Sequence, residues 1–214
     1  MDLIAEFLII APPILFALTI HEYAHGLVAY KLGDPTAKDA GRLTLNPLSH
    51  LDPIGTLMLF IVKLGWAKPV PVNPYNLRNP REDMMWVSFA GPAANFLAAF
   101  FLAVVFKLAA GSFPYAGQGS FFEVILLMLR WGILINIILG VFNLIPIPPL
   151  DGSKILIGFL PPAYGYQLAQ LERFGPFLLI FILIISRTMG FNLFWLLIQP
   201  FVAIFSVILG IRFF

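Results

Sequence analysis

Two histidines and a glutamate in the first apolar stretch of the chain have the spacing of a metal site. His21 and His25 are four residues apart, and on a helix residues at that spacing lie one above the other on the same face. Glu22 lies one step further round the helix, where its carboxylate could contact a metal-activated water without binding the metal itself. These residues predict half of a zinc site with a base beside it.

The alternative for these residues is a polar patch that packs helices together. The chain has three histidines, however, and two of them fall at ligand spacing around a glutamate inside an apolar helix. A charged side chain within a bilayer costs about 2.5–3.5 kcal/mol even on the lenient insertion scale, so such residues usually face the bundle interior and serve a function. We interpret His21, Glu22 and His25 as the H-E-x-x-H pattern of zinc metalloproteases.

The composition predicts an integral membrane protein. Of the 214 residues, 60% are hydrophobic and 11% are charged, whereas soluble domains have about 25% charged residues. At ~20 residues per span, the length allows about five or six spans with short connections. The predicted fold is an all-α polytopic bundle of about five to six transmembrane helices in one domain. The absence of cysteine excludes disulfides and thiolate metal sites, and nothing in the composition indicates a nucleic acid partner.

Apolar runs give the predicted helices. We expect the first span to be retained rather than removed as a signal peptide, since the chain starts Met1-Asp2 without a basic region. A short helix should follow the third full span, and the chain should end in a helical hairpin. The predicted full spans are residues 3–30, 84–110 and 121–144; the short helix is 152–159, the connection 161–174, and the last apolar runs 177–185 and 191–211.

The segment between the first two full spans should contain small membrane-associated elements. Residues 41–46 alternate polar and apolar side chains, as a short strand does. The apolar run 54–64 has a helical length of only about 16 Å, against a bilayer core of about 30 Å, so it should be re-entrant. Alternate prolines in residues 68–75 exclude a helix, and leave either an exposed edge that could receive a peptide or a stiff connector.

Charge distribution orients the helices and suggests a third ligand. Seven basic residues lie between positions 31 and 81 and none lies before them, so the end of the first helix should be cytoplasmic in a cell membrane. If residues 54–64 are re-entrant, Asp151 returns to the side of the two histidines, and Asn95 falls at a similar level. Asp151 is then the predicted third ligand, with an ordinary helix N-cap as its alternative.

Three further polar residues have two possible roles each. Asn95 and Asn143 could act in catalysis or could form hydrogen bonds between helices beside small residues. His50 could be a fourth ligand, but four protein ligands would close the site and make it structural, whereas a catalytic zinc keeps a position for water. We interpret His50 as an interfacial histidine in a turn.

Three polar motifs follow one another along the chain: His21-Glu22-Tyr23-Ala24-His25, Gly91-Pro92-Ala93-Ala94-Asn95, and Asn143 with Pro146 and Asp151-Gly152. Together they resemble the core motifs of the site-2 protease family of intramembrane zinc metalloproteases, over roughly residues 7–159. The resemblance implies a membrane-associated strand layer over residues 41–73, near the active site. The chain departs from many members in having neither a PDZ-like nor a CBS domain, so we expect a minimal, core-only member.

The resemblance implies a role for each site residue. His21, His25 and Asp151 would bind one zinc ion per chain, and Glu22 would be the general base. Asn143 would help to hold the substrate backbone or the oxyanion, and Asn95 belongs to a second core motif. In domain terms, the catalytic core would span about residues 7–159 and a C-terminal helical hairpin about residues 166–214.

The predicted function is hydrolysis of peptide bonds within or near transmembrane segments of membrane-protein substrates. The partners would be those substrates and the lipid bilayer, and the sequence carries no signal for an oligomeric state. One alternative is a metal-ion transporter, which would need polar residues continuing to the far leaflet, and residues 96–106 contain none. Another is a pseudoprotease that binds membrane helices without cutting, which the intact Glu22 argues against. The ligand set could also hold iron.

Overall fold

The computed structural model of the protein describes residues 3–55, 66–112, 120–188 and 193–213. Regular structure within these ranges is helical, with three short 3-10 turns and one isolated antiparallel bridge between Leu51 and Ala67. The helices are α1 (Leu3–Lys31), α2 (Thr36–Asp39), α3 (Pro80–Ser112), α4 (Phe121–Asn143), α5 (Asp151–Phe159), α6 (Pro162–Leu171), α7 (Gly175–Thr188) and α8 (Leu193–Leu209). The 3-10 turns are Pro47–His50, Pro74–Asn76 and Glu172–Phe174.

Four helical stretches among the described residues are long and apolar enough to cross a membrane. The prediction of an all-α membrane protein is therefore confirmed, while α8 is a shorter apolar helix. The four stretches are Ala5–Lys31, Pro80–Ser112, Phe121–Asn143 and Pro162–Ser186. The predicted connection over residues 161–174 is helical over most of its length, because Pro162 begins α6 and Gly175 adopts helical angles that continue the stretch into α7.

The first helix, which contains His21 and His25, is continuous over its whole length. It begins at Leu3 and continues through Pro12 and Pro13. Membrane helices tolerate internal proline where neighbouring groups satisfy the freed backbone. The helix ends before Gly33, whose φ of +113° is unfavourable for other residues, and a Cβ there would lie 3.1 Å from a backbone oxygen of Asn76.

Close contact between α3, α4 and α8 forms the core of the bundle. Ala99 on α3, Ile133 and Ile137 on α4 and Val202 on α8 are almost completely buried in one cluster. Small residues allow the helices to approach, since a Cβ at Gly140 would lie 2.7 Å from the ring of Phe96. The outward-facing side chains are large and apolar, as expected next to lipid; examples are Leu97, Phe101 and Val207.

The strand predicted over residues 41–46 is not formed. Gly41 has a φ of +66° in a turn, and the Thr44 carbonyl accepts a hydrogen bond from the His50 ring at 2.8 Å instead of from a neighbouring strand. The Arg42 side chain, within the same segment, donates to the carbonyl of Lys68 at 2.7 Å. The prediction is wrong because residues 41–46 form a turn and irregular structure, and no strand pairs with them among the described residues. The predicted re-entrant run 54–64 lies, beyond its first two residues, outside the described ranges.

Candidate metal centre

Side chains from two helices converge on one point inside the bundle. The Nε2 atoms of His21 and His25 on α1 lie 3.0 Å apart. Oδ2 of Asp151, the first residue of α5, lies 3.1 Å from Nε2 of His21 and 3.3 Å from Nε2 of His25. His21 is buried, and the side chains of His25 and Asp151 are only 12% and 13% exposed. The structure thus brings together the three residues that the sequence predicts as ligands.

A tight turn positions Asp151. Helix α4 ends at Asn143, and α5 begins eight residues later, after the turn 144–150. A Cβ at Gly152 would lie only 2.3 Å from the carbonyl oxygen of Leu144, so the start of α5 rests directly against the end of α4. Glycine at this position allows the close approach that directs the Asp151 carboxylate to the histidines.

Hydrogen bonds on the far side of each imidazole determine where its hydrogen lies. The Nδ1 atom of His25 is 2.7 Å from the carbonyl oxygen of Val87, which can only accept, so Nδ1 carries the hydrogen. Nδ1 of His21 is 2.7 Å from Oδ1 of Asn95. The amide of Asn95 donates through Nδ2 to the carbonyl of Ala17 at 3.0 Å, which leaves Oδ1 to accept from His21. In the neutral form of each imidazole, Nε2 therefore presents a lone pair.

This arrangement fits a metal cation. With the hydrogens of both imidazoles on Nδ1, the two Nε2 atoms and the Asp151 carboxylate oxygen are three acceptors, 3.0–3.3 Å apart, with no hydrogen between them. Oδ2 of Asp151 is buried and has no hydrogen-bond donor among the described residues. Acceptors do not converge in this way without a positive charge between them. Two imidazoles and one carboxylate are a donor set that suits zinc.

A glycine on α3 makes room for the imidazoles. A Cβ at Gly91 would lie 2.5 Å from Nε2 of His25 and 2.6 Å from Cε1 of His21. Any larger residue at this position would therefore push the two rings out of place. Pro92 follows in the same helix and has no N–H to close the preceding turn.

The carboxylate of Glu22 contacts a neighbouring segment of the chain. Its Oε2 accepts a hydrogen bond from the backbone N–H of Val70 at 2.8 Å. The side chain of Val70 in turn packs over α1, since a Cβ at Gly26 would lie 3.2 Å from it. The structure therefore fixes the glutamate next to the metal-binding face of α1 without making it a ligand.

The proline-rich residues 68–73 lie along α1 as an anchored segment. The N–H of Lys68 donates to the His50 carbonyl at 2.9 Å, and the N–H of Asn73 donates to the Asp34 carboxylate at 2.7 Å. With Val70 bound to Glu22, three of the four N–H groups in the segment have partners inside the chain, since Pro69 and Pro71 have none to offer. Of the two predicted alternatives, these bonds favour the stiff connector over an open edge.

The other candidates lie outside the group of three converging residues. Asn143 is half-buried, and its Nδ2 donates to the Leu139 carbonyl of its own helix at 3.0 Å. His50 is buried, and its Nε2 bonds to the Thr44 carbonyl in a short turn, so the described contacts give no support to a fourth ligand. Asn95 contacts the imidazole of His21 from behind.

Two groups that hold the site were missed by the sequence interpretation. The Val87 carbonyl that accepts from His25 is a backbone atom, and no residue type signals it. Asn136, which accepts from Asn95 Nδ2 at 2.9 Å, did carry a signal, because it is an amide inside an apolar span. It also lies seven residues before Asn143, hence on the same face of α4.

Comparisons with known proteins identify relatives over most of the chain. Residues 115–186 match the family described as Peptidase family M50. The chain is 39% identical over 188 residues to "Putative zinc metalloprotease YwhC" of Bacillus subtilis (strain 168), covering 85% of this chain and 82% of that protein.

Two mycobacterial relatives carry the same description with the name Rip2. The protein of Mycolicibacterium smegmatis (strain ATCC 700084 / mc(2)155) is 29% identical over 192 residues, covering 87% of this chain and 70% of its own. That of Mycobacterium tuberculosis (strain ATCC 25618 / H37Rv) is 30% identical over 181 residues, covering 80% and 63%. No solved structure matches the chain.

Proposed function

This chain belongs to peptidase family M50, the site-2 protease family, and from that premise we propose that it is an intramembrane zinc endopeptidase. One zinc ion per chain would be held by His21, His25 and Asp151. The observation that carries the proposal is the convergence of three acceptor atoms, 3.0–3.3 Å apart, on one face of an apolar helix. The substrates would be membrane proteins cleaved within or near their transmembrane segments.

Glu22 is the general base in this proposal. When held by the three proposed ligands, zinc would act as a Lewis acid: it would lower the pKa of a water molecule to ~7 and polarise a peptide carbonyl. Glu22 accepts a proton from the attacking water and delivers it to the leaving amine, a role that contributes about 10²–10⁴-fold in rate. The hydrogen bond from Val70 keeps the carboxylate close to α1, where the water must lie.

The two asparagines have different proposed roles. Asn143 lies eight residues before Asp151 and is half-buried, so its amide could turn from the Leu139 carbonyl to hold the substrate backbone or the developing oxyanion. We assign Asn95 as a positioning residue rather than a catalytic one. Its Oδ1 contacts Nδ1 of His21, on the opposite side of the ring from Nε2, and not a group that would meet the substrate.

The substrate must arrive at least partly unwound. A transmembrane helix hides its carbonyl groups in its own hydrogen bonds, so the scissile carbonyl becomes accessible only where the helix opens. We propose that proline or small polar residues near the cleavage site make a substrate better, because they weaken its helix locally.

The site is proposed to lie towards the cytoplasmic side of a cell membrane. The basic residues between positions 31 and 81 support this orientation, which leaves the end of α3 on the outer side. The chain has no cysteine, so single-cysteine labelling in vesicles of known orientation tests it directly. An impermeant thiol reagent should modify Tyr75→Cys from the cytoplasmic side alone and Ser112→Cys from the outer side alone. The reverse pattern would overturn the orientation.

The endopeptidase proposal is tested by measuring zinc content and cleavage together. The unmodified protein, Glu22→Gln and Glu6→Gln are purified in detergent and incubated with a panel of single-span membrane proteins. Glu6 is an exposed glutamate at the other end of the same helix and serves as the matched control. We expect one zinc per chain in all three, cleavage by the unmodified protein and Glu6→Gln, and about 10²–10⁴-fold slower cleavage by Glu22→Gln.

Other outcomes would overturn the proposal. Full activity of zinc-loaded Glu22→Gln would remove Glu22 as the base. Zinc binding without cleavage by any of the three proteins would favour a pseudoprotease that binds membrane helices. Movement of zinc across sealed vesicles without cleavage would favour the metal-ion transporter.

A further inference from the structure

We infer that Asn136 is a positioning residue that holds the imidazole of His21, through Asn95, in the orientation a metal ion requires. The inference rests on the proposed metal centre. Asn136 is fully buried in the apolar helix α4, and an amide in that environment is unfavourable unless its donors and acceptors are satisfied. The hydrogen-bond partners of the Asn136 amide therefore indicate its role.

The amides of Asn136 and Asn95 form a chain of hydrogen bonds that ends on His21. Asn136 donates through Nδ2 to the Gly132 carbonyl at 2.8 Å, and this carbonyl can only accept. Oδ1 of Asn136 must then face Asn95, whose Nδ2 donates to it at 2.9 Å. Oδ1 of Asn95 in turn accepts from Nδ1 of His21 at 2.7 Å. Each link sets the direction of the next.

The chain prevents the Asn95 amide from turning over. Its Nδ2 donates to two acceptors, the Ala17 carbonyl and Oδ1 of Asn136. If the amide rotated by half a turn, its oxygen would face both acceptors and its N–H groups would face Nδ1–H of His21. Asn136 supplies one of the two contacts that oppose this rotation. It thereby keeps the hydrogen of His21 on Nδ1 and the lone pair of Nε2 directed at the metal.

A packing role is the competing explanation. Asparagines often join helices in membranes simply by hydrogen bonding to each other. That role predicts a loss of stability when Asn136 is replaced, but no specific change at His21. The positioning role predicts a change in metal affinity and in the Nδ1–H of one histidine.

The test compares Asn136→Leu, Asn136→Asp and Ile137→Ala in the full-length, zinc-loaded protein in detergent. Ile137 is the next residue of α4, is fully buried and belongs to the apolar core, so its truncation controls for lost packing. A neutral carboxyl at position 136 retains one donor and one acceptor in nearly the same places as the amide. Zinc affinity is measured by competition with a chelator, and the histidine N–H signals by NMR of ¹⁵N-histidine-labelled protein.

The chain has only three histidines, so each N–H signal can be assigned, and those of His25 and His50 serve as internal references. His25 donates from Nδ1 to the Val87 carbonyl, and His50 donates from Nε2 to the Thr44 carbonyl, so neither depends on Asn136. We expect Asn136→Leu to bind zinc about 10–100-fold more weakly and to exchange the Nδ1 hydrogen of His21 faster with water. With zinc at saturating concentration, the His25 and His50 signals should not change. Asn136→Asp should recover most of both properties, and Ile137→Ala should alter neither.

The inference is overturned if Asn136→Leu loses stability like Ile137→Ala yet keeps its zinc affinity and its His21 signal. Should the leucine variant fail to fold, Asn136→Ala is measured against the same expectations. The endopeptidase proposal can fail independently of this inference. An unmodified protein that binds zinc and shows the expected histidine N–H signals, but cuts no substrate, would overturn the endopeptidase proposal. The role of Asn136 would remain. A protein that cuts, with Asn136→Leu retaining its zinc affinity, would overturn the role of Asn136 alone.

Discussion

At the scale of residues, the site depends on small side chains and backbone atoms as much as on its ligands. Gly91 illustrates this, because α3 crosses α1 at a position where a single Cβ would lie 2.5 Å from Nε2 of His25, a proposed ligand atom. The carbonyl of Val87, one turn earlier in α3, orients the same imidazole. The segment of α3 around residues 87–91 thus shapes the metal site although none of its side chains is a ligand.

Replacing Gly91 by alanine should weaken the metal site. The added methyl group would displace the imidazoles of His21 and His25, and we expect zinc affinity to fall about 10-fold or more with a matching loss of cleavage. Gly111→Ala is the control, since it lies in the same helix and its Cβ would meet nothing within 4 Å. The zinc affinity of both variants is measured by competition with a chelator. Equal zinc affinity in the two would show that the rings have room to move.

Residue types and spacing were enough to predict that His21 and His25 share one face, and not enough to predict what orients them. The four-residue interval from His21 to His25 determines their common face on any helix. Asp151 could be placed only by counting membrane passes. The partners of Glu22 and His25 are backbone groups of Val70 and Val87, brought near by tertiary contacts that leave no trace in residue type.

At the scale of elements, the connector of residues 68–73 is anchored at its far end by the buried carboxylate of Asp34. Asp34 accepts hydrogen bonds from the N–H of Asn73, the amide of Asn76 and the N–H and hydroxyl of Thr36. Burial by itself would raise the pKa of the Asp34 carboxyl, but these hydrogen bonds outweigh it and hold the pKa below its usual value. Asp34 thereby fixes the segment that also contacts Glu22.

Replacing Asp34 by asparagine should destabilise the protein in a pH-dependent way. Because the folded-state pKa lies below the ordinary value of 3.8, the ionised carboxylate stabilises the folded protein above about pH 4. That contribution is lost as the pH falls through the folded-state pKa. Thermal unfolding in detergent should therefore give a lower Tm for Asp34→Asn than for the unmodified protein at pH 7, with the difference shrinking below pH 4.

The control for this prediction is Asp39→Asn, which changes an exposed carboxylate in the neighbouring helix α2. It should leave the Tm nearly unchanged at every pH. A difference between Asp34→Asn and the unmodified protein that stays constant down to pH 3 would contradict the assignment of the effect to ionisation of Asp34.

At the scale of the whole molecule, hydrophobic runs predicted the spans well and the polar connections poorly. The first three full spans were located to within a few residues, because a run of about 20 apolar residues has few alternatives in lipid. The stretch Pro162–Ser186 was predicted as a connection followed by a short apolar run, because polar residues interrupt the apolar pattern before residue 177. A Cβ at Gly175 would lie 2.7 Å from the backbone of Pro148, so the glycine permits close packing on the turn before Asp151.

In the proposed function, the helical bundle holds one zinc ion and the Glu22 carboxylate base inside a membrane. The most direct measurement strips the full-length protein of metal with a chelator, adds zinc back stepwise and follows cleavage of a transmembrane substrate. We predict no cleavage by the stripped protein and a linear recovery that ends at one zinc per chain, with no recovery in Asp151→Ala. Cleavage that persists without metal, or that recovers equally well in Asp151→Ala, would contradict the account.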